Sequence, residues 1–135
     1  MSTSVSSMSL DAAIDSCCAS RGAHYDVALV AAIVLAGRFR YVGDQRWEWW
    51  DDTARMWRPD DQRNRLEQTI RMELCQCFVE RALFWNERSM TIDVAHRVEH
   101  QLRSQLLLWI CLRIPKESYL PRMIKELRAL LLYET

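Results

Sequence analysis

The 135-residue chain has few of the residues that tight turns need, with only 3 Gly and 3 Pro. All-β sandwiches and barrels depend on many such turns, so this scarcity argues against them. Three scattered glycines also cannot form the G-x-x-x-x-G-K-[ST] phosphate loop. A serine nucleophile elbow and a recognisable cysteine–histidine catalytic pattern are missing as well. These absences argue against an ATPase, a dinucleotide enzyme or a hydrolase, so we expect a non-catalytic protein without a cofactor.

Net charge is absent too, because 18 basic residues balance 18 acidic ones. A dedicated nucleic-acid-binding protein usually has a basic excess, so contacts with phosphates would require its positive residues to cluster after folding.

Long hydrophobic runs are lacking, since the most apolar stretch, residues 27–36, is half a membrane span. The N-terminus has neither the basic start nor the apolar run of a signal peptide. The five cysteines are odd in number and show no Cys-x-x-Cys spacing, which favours small buried thiols in a reducing compartment over metal ligands. We therefore expect an intracellular protein without a membrane segment, located in the cytoplasm, the nucleus or a virion.

The residues that are present predict a mainly α fold. Apolar residues make up 50% of the chain and charged residues 27%, which is typical of one globular domain. We expect a flexible tail over residues 1–9 and a single helical domain over 10–135. Hydrophobic periodicity predicts about five helices in a compact bundle. They cover residues 11–20, 27–36, 62–86, 92–113 and a last segment that begins near 118, with Asp26, Asp60 or Asp61, Thr91 and Ser118 as expected N-caps of the second to fifth helices.

Residues 38–58 change from a helical period to alternation of charged and apolar residues. Alternation over 38–42 and 46–49, with Gly43-Asp44 between them, predicts a small β-hairpin between the second and third helices. A third short strand is conceivable over 55–58.

The fourth predicted helix has an apolar stripe that we expect to face the core. Its members recur at helical spacing, and they are Val94, Ala95, Val98, Leu102, Leu106, Trp109 and Ile110.

Tryptophan is concentrated in the hairpin, where Trp47, Trp49, Trp50 and Trp57 fall within eleven residues. Indole rings next to arginines stack on the bases of single-stranded nucleic acid or form hot spots for a protein partner. Packing of the rings onto the helices is the third alternative, favoured because five arginines and five acidic residues cancel in this segment. The candidate binding residues here are Arg40, Arg46, Trp49, Trp50 and Arg58.

Two further patterns lie on the last two helices. Arg122, Lys125 and Arg128 are spaced by three and share one face of the last helix. This face either contacts phosphates or is exposed to solvent.

His96 and His100 fall in an H-x-x-E-H pattern that resembles inverted zinc proteases. They are weak metal candidates, because no third protein ligand is identifiable and a solvated face explains both.

The aromatic spacing of the hairpin resembles the helical domain between primase and helicase in poxvirus-type, superfamily 3 primase–helicases of viruses, phages and plasmids. The similar segments are Gly37-Arg38-Phe39-Arg40-Tyr41-Val42, Arg46-Trp47-Glu48-Trp49-Trp50, Met56-Trp57-Arg58-Pro59-Asp60 and the closing helix from Leu120 to Tyr133. The motor's phosphate loop is missing, so the resemblance implies a replication-associated module without motor or primase activity.

Two functions follow as expectations. The first is a non-catalytic module of a viral or mobile-element replication apparatus, which binds nucleic acid or a replication protein through the hairpin and the last helix. The alternative is a structural or protein-interaction component of a larger assembly, such as a virion, a scaffold or a homo-oligomer.

Overall fold

A computed structural model describes residues 8–133 and contains, within that range, five helices and one antiparallel sheet. The helices are α1 (Leu10–Ser20), α2 (His24–Leu35), α3 (Asn64–Thr69, the π-helical Ile70–Leu74 and Cys75–Ser89 in direct succession), α4 (Val94–Arg113) and α5 (Leu120–Leu130). The strands are β1 (Phe39–Gly43), β2 (Arg46–Asp51) and β3 (Met56–Pro59). The mainly helical class, with the sheet between the second and third helices, is confirmed. Of the tail predicted over residues 1–9, residues 1–7 lie outside the described part of the chain.

The sheet has three strands in the order β1-β2-β3, so the prediction of a two-stranded hairpin is wrong in strand number. The third strand considered over 55–58 is present at Met56–Pro59. The β1–β2 turn places Asp44 and Gln45 at positive φ, the backbone of a tight hairpin turn that matches strand twist. The second turn forms because the Asp51 carboxylate accepts the N–H groups of Thr53 and Ala54, both at 3.1 Å. This turn directs residues 56–59 back along β2.

Helix α2 lies at the centre of the core, as its apolar sequence predicts. Six of its twelve residues are buried: Val27, Ala28, Val30, Ala31, Ala32 and Leu35. It packs between α1 and α5, and Phe39 and Trp47 from the sheet join the same core. Across residues 8–133, none of the helices combines the length and the apolarity that a bilayer crossing requires.

Helix α4 buries a different face from the predicted one, and the two faces share only Ile110. The buried residues on its core face are His100, Ser104, Leu107 and Ile110, and Ile114 follows at its C-cap. The predicted stripe is exposed instead, from Val94 to Trp109, apart from half-buried Leu106 and buried Ile110. Of the two polar residues on this face, Ser104 is satisfied because its Oγ donates to the Ala82 carbonyl at 2.7 Å. The His100 ring packs on the Trp85 ring at 4.9 Å, while its buried Nδ1 has no hydrogen-bond partner among the described residues.

Several helix ends differ from the predicted ones. Asp26 lies in the first turn of α2 rather than at its cap, because the helix begins at His24. Thr91 bonds back to the Arg88 carbonyl at the end of α3, and Asp93 caps α4 in its place.

Helix α5 also begins later than predicted, at Leu120, and Ser118 makes no cap bond there. Asp60 caps α3 with its carboxylate, as predicted, because it accepts the N–H groups of Arg65 and Leu66. It does so from a distance, since the N-cap position of α3 is occupied by Arg63 and a 3-10 turn over 61–63 lies between them.

Gly22 brings the α1–α2 turn into contact with α4. Its φ of +77° favours glycine, and a Cβ atom there would lie 2.9 Å from Ile110 Cγ1. The Tyr119 hydroxyl, buried ahead of α5, donates to the Gly22 carbonyl at 2.6 Å. The turn therefore connects three helices at one end of the bundle.

Candidate interaction surfaces

Two of the four sheet tryptophans are engaged by the fold itself. Trp47 is buried in the core. Trp49 is half-buried, and the guanidinium of Arg65 lies 3.6 Å from its ring centroid. Packing, one of the alternatives in the sequence, accounts for both rings. The sequence did not identify Arg65 as a contact of the sheet tryptophans, because Arg65 lies sixteen residues away from Trp49 in the chain.

The outer face of the sheet brings together Trp50 and Trp57, whose ring centroids lie 5.5 Å apart in an edge-to-face arrangement. The Arg40 guanidinium lies 4.4 Å from the Trp57 ring and 3.9 Å from the Tyr133 ring. Its charge is paired with Glu48 at 2.7 Å. Arg40 is therefore held between two rings and beside a carboxylate, which leaves little of it for a phosphate.

Tyr133 reaches Arg40 because the chain that follows α5 pairs with the edge of β1. The Tyr41 N–H donates to the Leu131 carbonyl, and the Tyr133 N–H donates to the Tyr41 carbonyl, both at 2.9 Å. This contact between distant segments had no signal in the sequence.

Most other arginines of the sheet region are also neutralised within the fold. Their ion pairs are Arg58–Asp51 at 2.6 Å, Arg38–Glu73 at 2.7 Å and Arg55–Asp52 at 3.4 Å. Bonds from the Ala54 N–H and from Arg58 lower the pKa of Asp51. Arg46 is exposed and has no ion-pair partner within residues 8–133. Most arginines of this segment are therefore paired with carboxylates. A nucleic-acid backbone would meet little unpaired positive charge on the sheet.

A groove of about 280 Å³ lies between the sheet and α3. It brings the predicted Trp49 and Trp50 together with Arg65, and its other lining residues are Arg38, Phe39, Asp52 and Thr69.

The predicted basic face of α5 divides in the structure. Arg122 and Lys125 point into solvent, whereas Arg128 is half-buried with its guanidinium 5.3 Å from the Tyr41 ring. Arg128 therefore belongs to the contact between α5 and the sheet. Burial, with the charges of Arg122 and Arg113, lowers the pKa of neighbouring His24.

The two candidate metal ligands have different environments. His96 is exposed, and its Nδ1 lies 2.8 Å from the Asp93 carboxylate, which raises the pKa of His96. His100 is buried against Trp85. Between Met8 and Tyr133, no three His, Cys, Asp or Glu residues are grouped to hold a metal ion.

The five cysteines are free thiols, none of them exposed. Burial raises the pKa of Cys17 and Cys75 to about 12 and that of Cys18 to about 11. These thiols are therefore protonated at neutral pH, the state of an inert packing residue rather than a nucleophile.

Helix α4 presents a surface that we call the α4 stripe. It consists of Ala95, Val98, Leu102, Gln105, Trp109 and Leu112, all of which are exposed. The exposed fractions of Val98, Leu102 and Leu112 are 60%, 55% and 69%. Their spacing alternates between three and four residues, which is the a/d pattern of a coiled-coil seam.

The α4 stripe forms a ridge with a groove on each side. One groove, of about 410 Å³, lies against α3 and includes Leu83 and Leu108. The other, of about 330 Å³, lies against α1 and includes Cys18 and Leu106. Polar residues line the first groove as well, and Asp15, Glu99 and Arg103 line the second. Apolar surface therefore continues beyond the ridge only in part. The spacing that predicts this feature was present in the sequence, but it was interpreted as the core face.

Trp109 differs from Trp85, the other helical tryptophan. Trp85 is 9% exposed and its Nε1 donates to Asp15 at 2.8 Å. Trp109 is 45% exposed, with the Arg113 guanidinium 4.6 Å from its ring. Only Trp109 of the two therefore offers a broad apolar surface to a partner.

Comparison of the chain with protein-family models, with curated proteins and with solved structures found no match.

Proposed function

We propose that the protein is a non-catalytic protein-interaction module, a component of a larger assembly, and that it binds its partner through the α4 stripe. The observation that supports this proposal is a twenty-residue helix whose outward a and d positions are five-sixths apolar and all exposed. An ordinary surface helix has polar residues on that side.

The size of the exposed surface supports an interface. The large apolar side chains that the α4 stripe exposes, together with Val94 and Leu108 beside it, are Val94, Val98, Leu102, Leu108, Trp109 and Leu112. From their exposed fractions, they present about 600 Å² of surface, at the upper end of the largest patch on a typical monomer. Covering it would contribute about 15 kcal/mol of hydrophobic free energy before the costs of association. A gain of that size is enough to hold a partner whose own surface is complementary.

The pattern of the surface indicates the kind of partner. An a/d seam interdigitates with the side chains of another helix. We therefore infer a partner that offers an apolar helix, which would lie along the ridge and reach into one of the flanking grooves.

Photo-crosslinking in cells tests this proposal. A benzophenone amino acid replaces Leu102 in the α4 stripe or, as a control, Met72 of α3, which is 65% exposed and lies outside the stripe. We expect a protein adduct from position 102 and none from position 72. The absence of any protein adduct from position 102 would overturn the proposal.

A second candidate is single-stranded nucleic-acid binding by the outer face of the sheet. The specific observation in its favour is the Trp50–Trp57 pair, with exposed Arg46 at the other end of the same strand as Trp50 and without an ion-pair partner among the described residues. The resemblance to the primase–helicase domain supports it. Neutralisation of the neighbouring arginines makes it the weaker proposal. Fluorescence anisotropy with labelled single-stranded DNA at low salt tests it, since phosphate contacts are strongest there. It predicts binding that Trp57→Ala reduces at least about tenfold, and no binding would exclude it.

A further inference from the structure

We propose that the partner of the α4 stripe is a second copy of this chain, with the two α4 helices packed antiparallel across a twofold axis. This inference rests on the proposed function and names its partner.

The residues of the stripe are complementary to themselves when one helix is reversed. Antiparallel coiled coils pair each a position with a d position of the other helix. With Leu102 opposite Gln105 of the second copy, the same register places Val98 opposite Trp109. It also places Ala95 opposite Leu112. Each of the two outer layers therefore joins a small side chain to a large one, as close packing requires.

A parallel arrangement lacks this complementarity. It would place Trp109 against Trp109 and Ala95 against Ala95, which overfills one layer and leaves a void in another. Antiparallel helices also align their dipoles favourably.

Gln105 favours this register over the others that the two helices could adopt. The twofold axis passes between positions 102 and 105, so the two Gln105 side chains lie about 5 Å apart along the helices. At that separation their amides reach each other across the axis. A single polar residue within an apolar seam fixes register because any slip would leave it buried against apolar groups.

The area and the charge are adequate for a dimer. Complete burial of both surfaces, Val94 and Leu108 beside the stripe included, would cover about 1,200 Å², the lower limit of a standard stable interface. The α4 stripe contains no charged residue, and the formal net charge of the chain is zero. Two copies therefore approach without net repulsion.

Light scattering on the purified full chain tests the dimer. We expect a mass twice the 16.0 kDa of the chain. Leu102→Glu should weaken association at least about 100-fold, because it buries two carboxylates close to the axis. The matched control Met72→Glu should leave the mass unchanged. Because both residues are exposed within one copy, circular dichroism should show unaltered helix content in both variants.

Gln105→Leu gives a second, opposite readout. It replaces the polar pair on the axis with apolar contacts, so we expect association about tenfold tighter than in the unmodified chain. Weaker association in this variant would overturn the proposed register.

Orientation is tested by a benzophenone at position 98, with the crosslink located by mass spectrometry. We expect attachment close to Trp109 of the second copy. Attachment to position 98 of the second copy would overturn the antiparallel arrangement.

The outcomes separate this inference from the proposed function. A 16.0 kDa monomer at every concentration, or a dimer that Leu102→Glu does not weaken, overturns the second-copy partner. If position 102 then crosslinks in cells to a protein of another mass, the interaction module survives without self-association. If position 102 yields no adduct and the purified chain is monomeric, both proposals fail.

Discussion

Replacement of Asp60 by alanine is expected to destabilise the fold where the sheet meets α3. Asp60 is 9% exposed, and its carboxylate accepts two backbone N–H groups at 2.9 Å, those of Arg65 and Leu66. Its own N–H donates to the Trp47 carbonyl at 2.9 Å. One side chain therefore caps α3 while its backbone extends the pairing of the sheet.

The magnitude follows from the two bonds that are lost. Removal of an N-cap costs about 1 kcal/mol. The Leu66 N–H belongs to a fully buried residue, and a buried donor without an acceptor costs about 2 kcal/mol more. We expect Asp60→Ala to reduce the free energy of unfolding by about 3 kcal/mol. Asp60→Asn keeps one acceptor oxygen and should lose about half as much.

Urea unfolding followed by circular dichroism at 222 nm measures this change. Asp61→Ala is the matched control, because Asp61 is exposed and its side chain makes no hydrogen bond within the described residues. The control should change the free energy of unfolding by less than about 0.5 kcal/mol. A loss below about 1 kcal/mol for Asp60→Ala would refute the reasoning.

Two further predictions concern backbone geometry and pH. Gly22→Ala should lower the free energy of unfolding by about 2 kcal/mol more than Gly37→Ala does. Both glycines have a similar positive φ, but only at position 22 would a Cβ atom be forced against Ile110. Thermal unfolding of the two variants measures the difference, and equal losses of stability would contradict the clash. The bond between His96 and Asp93 raises the pKa of the histidine and lowers that of the carboxyl. Its stabilisation is therefore full between about pH 4 and pH 6.5 and is lost as pH rises through the raised histidine pKa or falls through the lowered carboxyl pKa. NMR titration should give His96 a pKa above about 6.5 that Asp93→Asn lowers, and an unchanged value would contradict this.

Helix α4 shows how far the sequence determines the fold and where it stops. Periodicity predicts a helix over 92–113, and the observed helix runs from Val94 to Arg113. The buried face was not predictable, because the helix is apolar on two sides. Aliphatic residues at Val98 and Leu102 outweighed His100 and Ser104 in the pattern, although the latter pair is the buried one. The partners that receive this pair, the Ala82 carbonyl for Ser104 and the Trp85 ring for His100, both lie on α3 and are not visible in the periodicity of α4.

The candidate sites were predictable only in composition. The sequence contains a concentration of indoles and guanidinium groups between residues 38 and 58, and the structure places these residues in and beside one sheet. It gave no indication that Arg65 would cover Trp49 or that Tyr133 would cover Arg40. Those contacts join distant segments through tertiary packing, for which local periodicity has no signal.

Hydroxyl-radical footprinting of the chain at two concentrations tests most directly whether the α4 stripe is an open surface that a partner covers. In dilute solution we expect rapid oxidation of Trp109 and of Leu112. At high concentration both should be protected, while Met72 keeps its reactivity. Protection of the stripe at every dilution would mean that α4 buries this face within one copy, and equal reactivity at both concentrations would exclude the second copy as its partner.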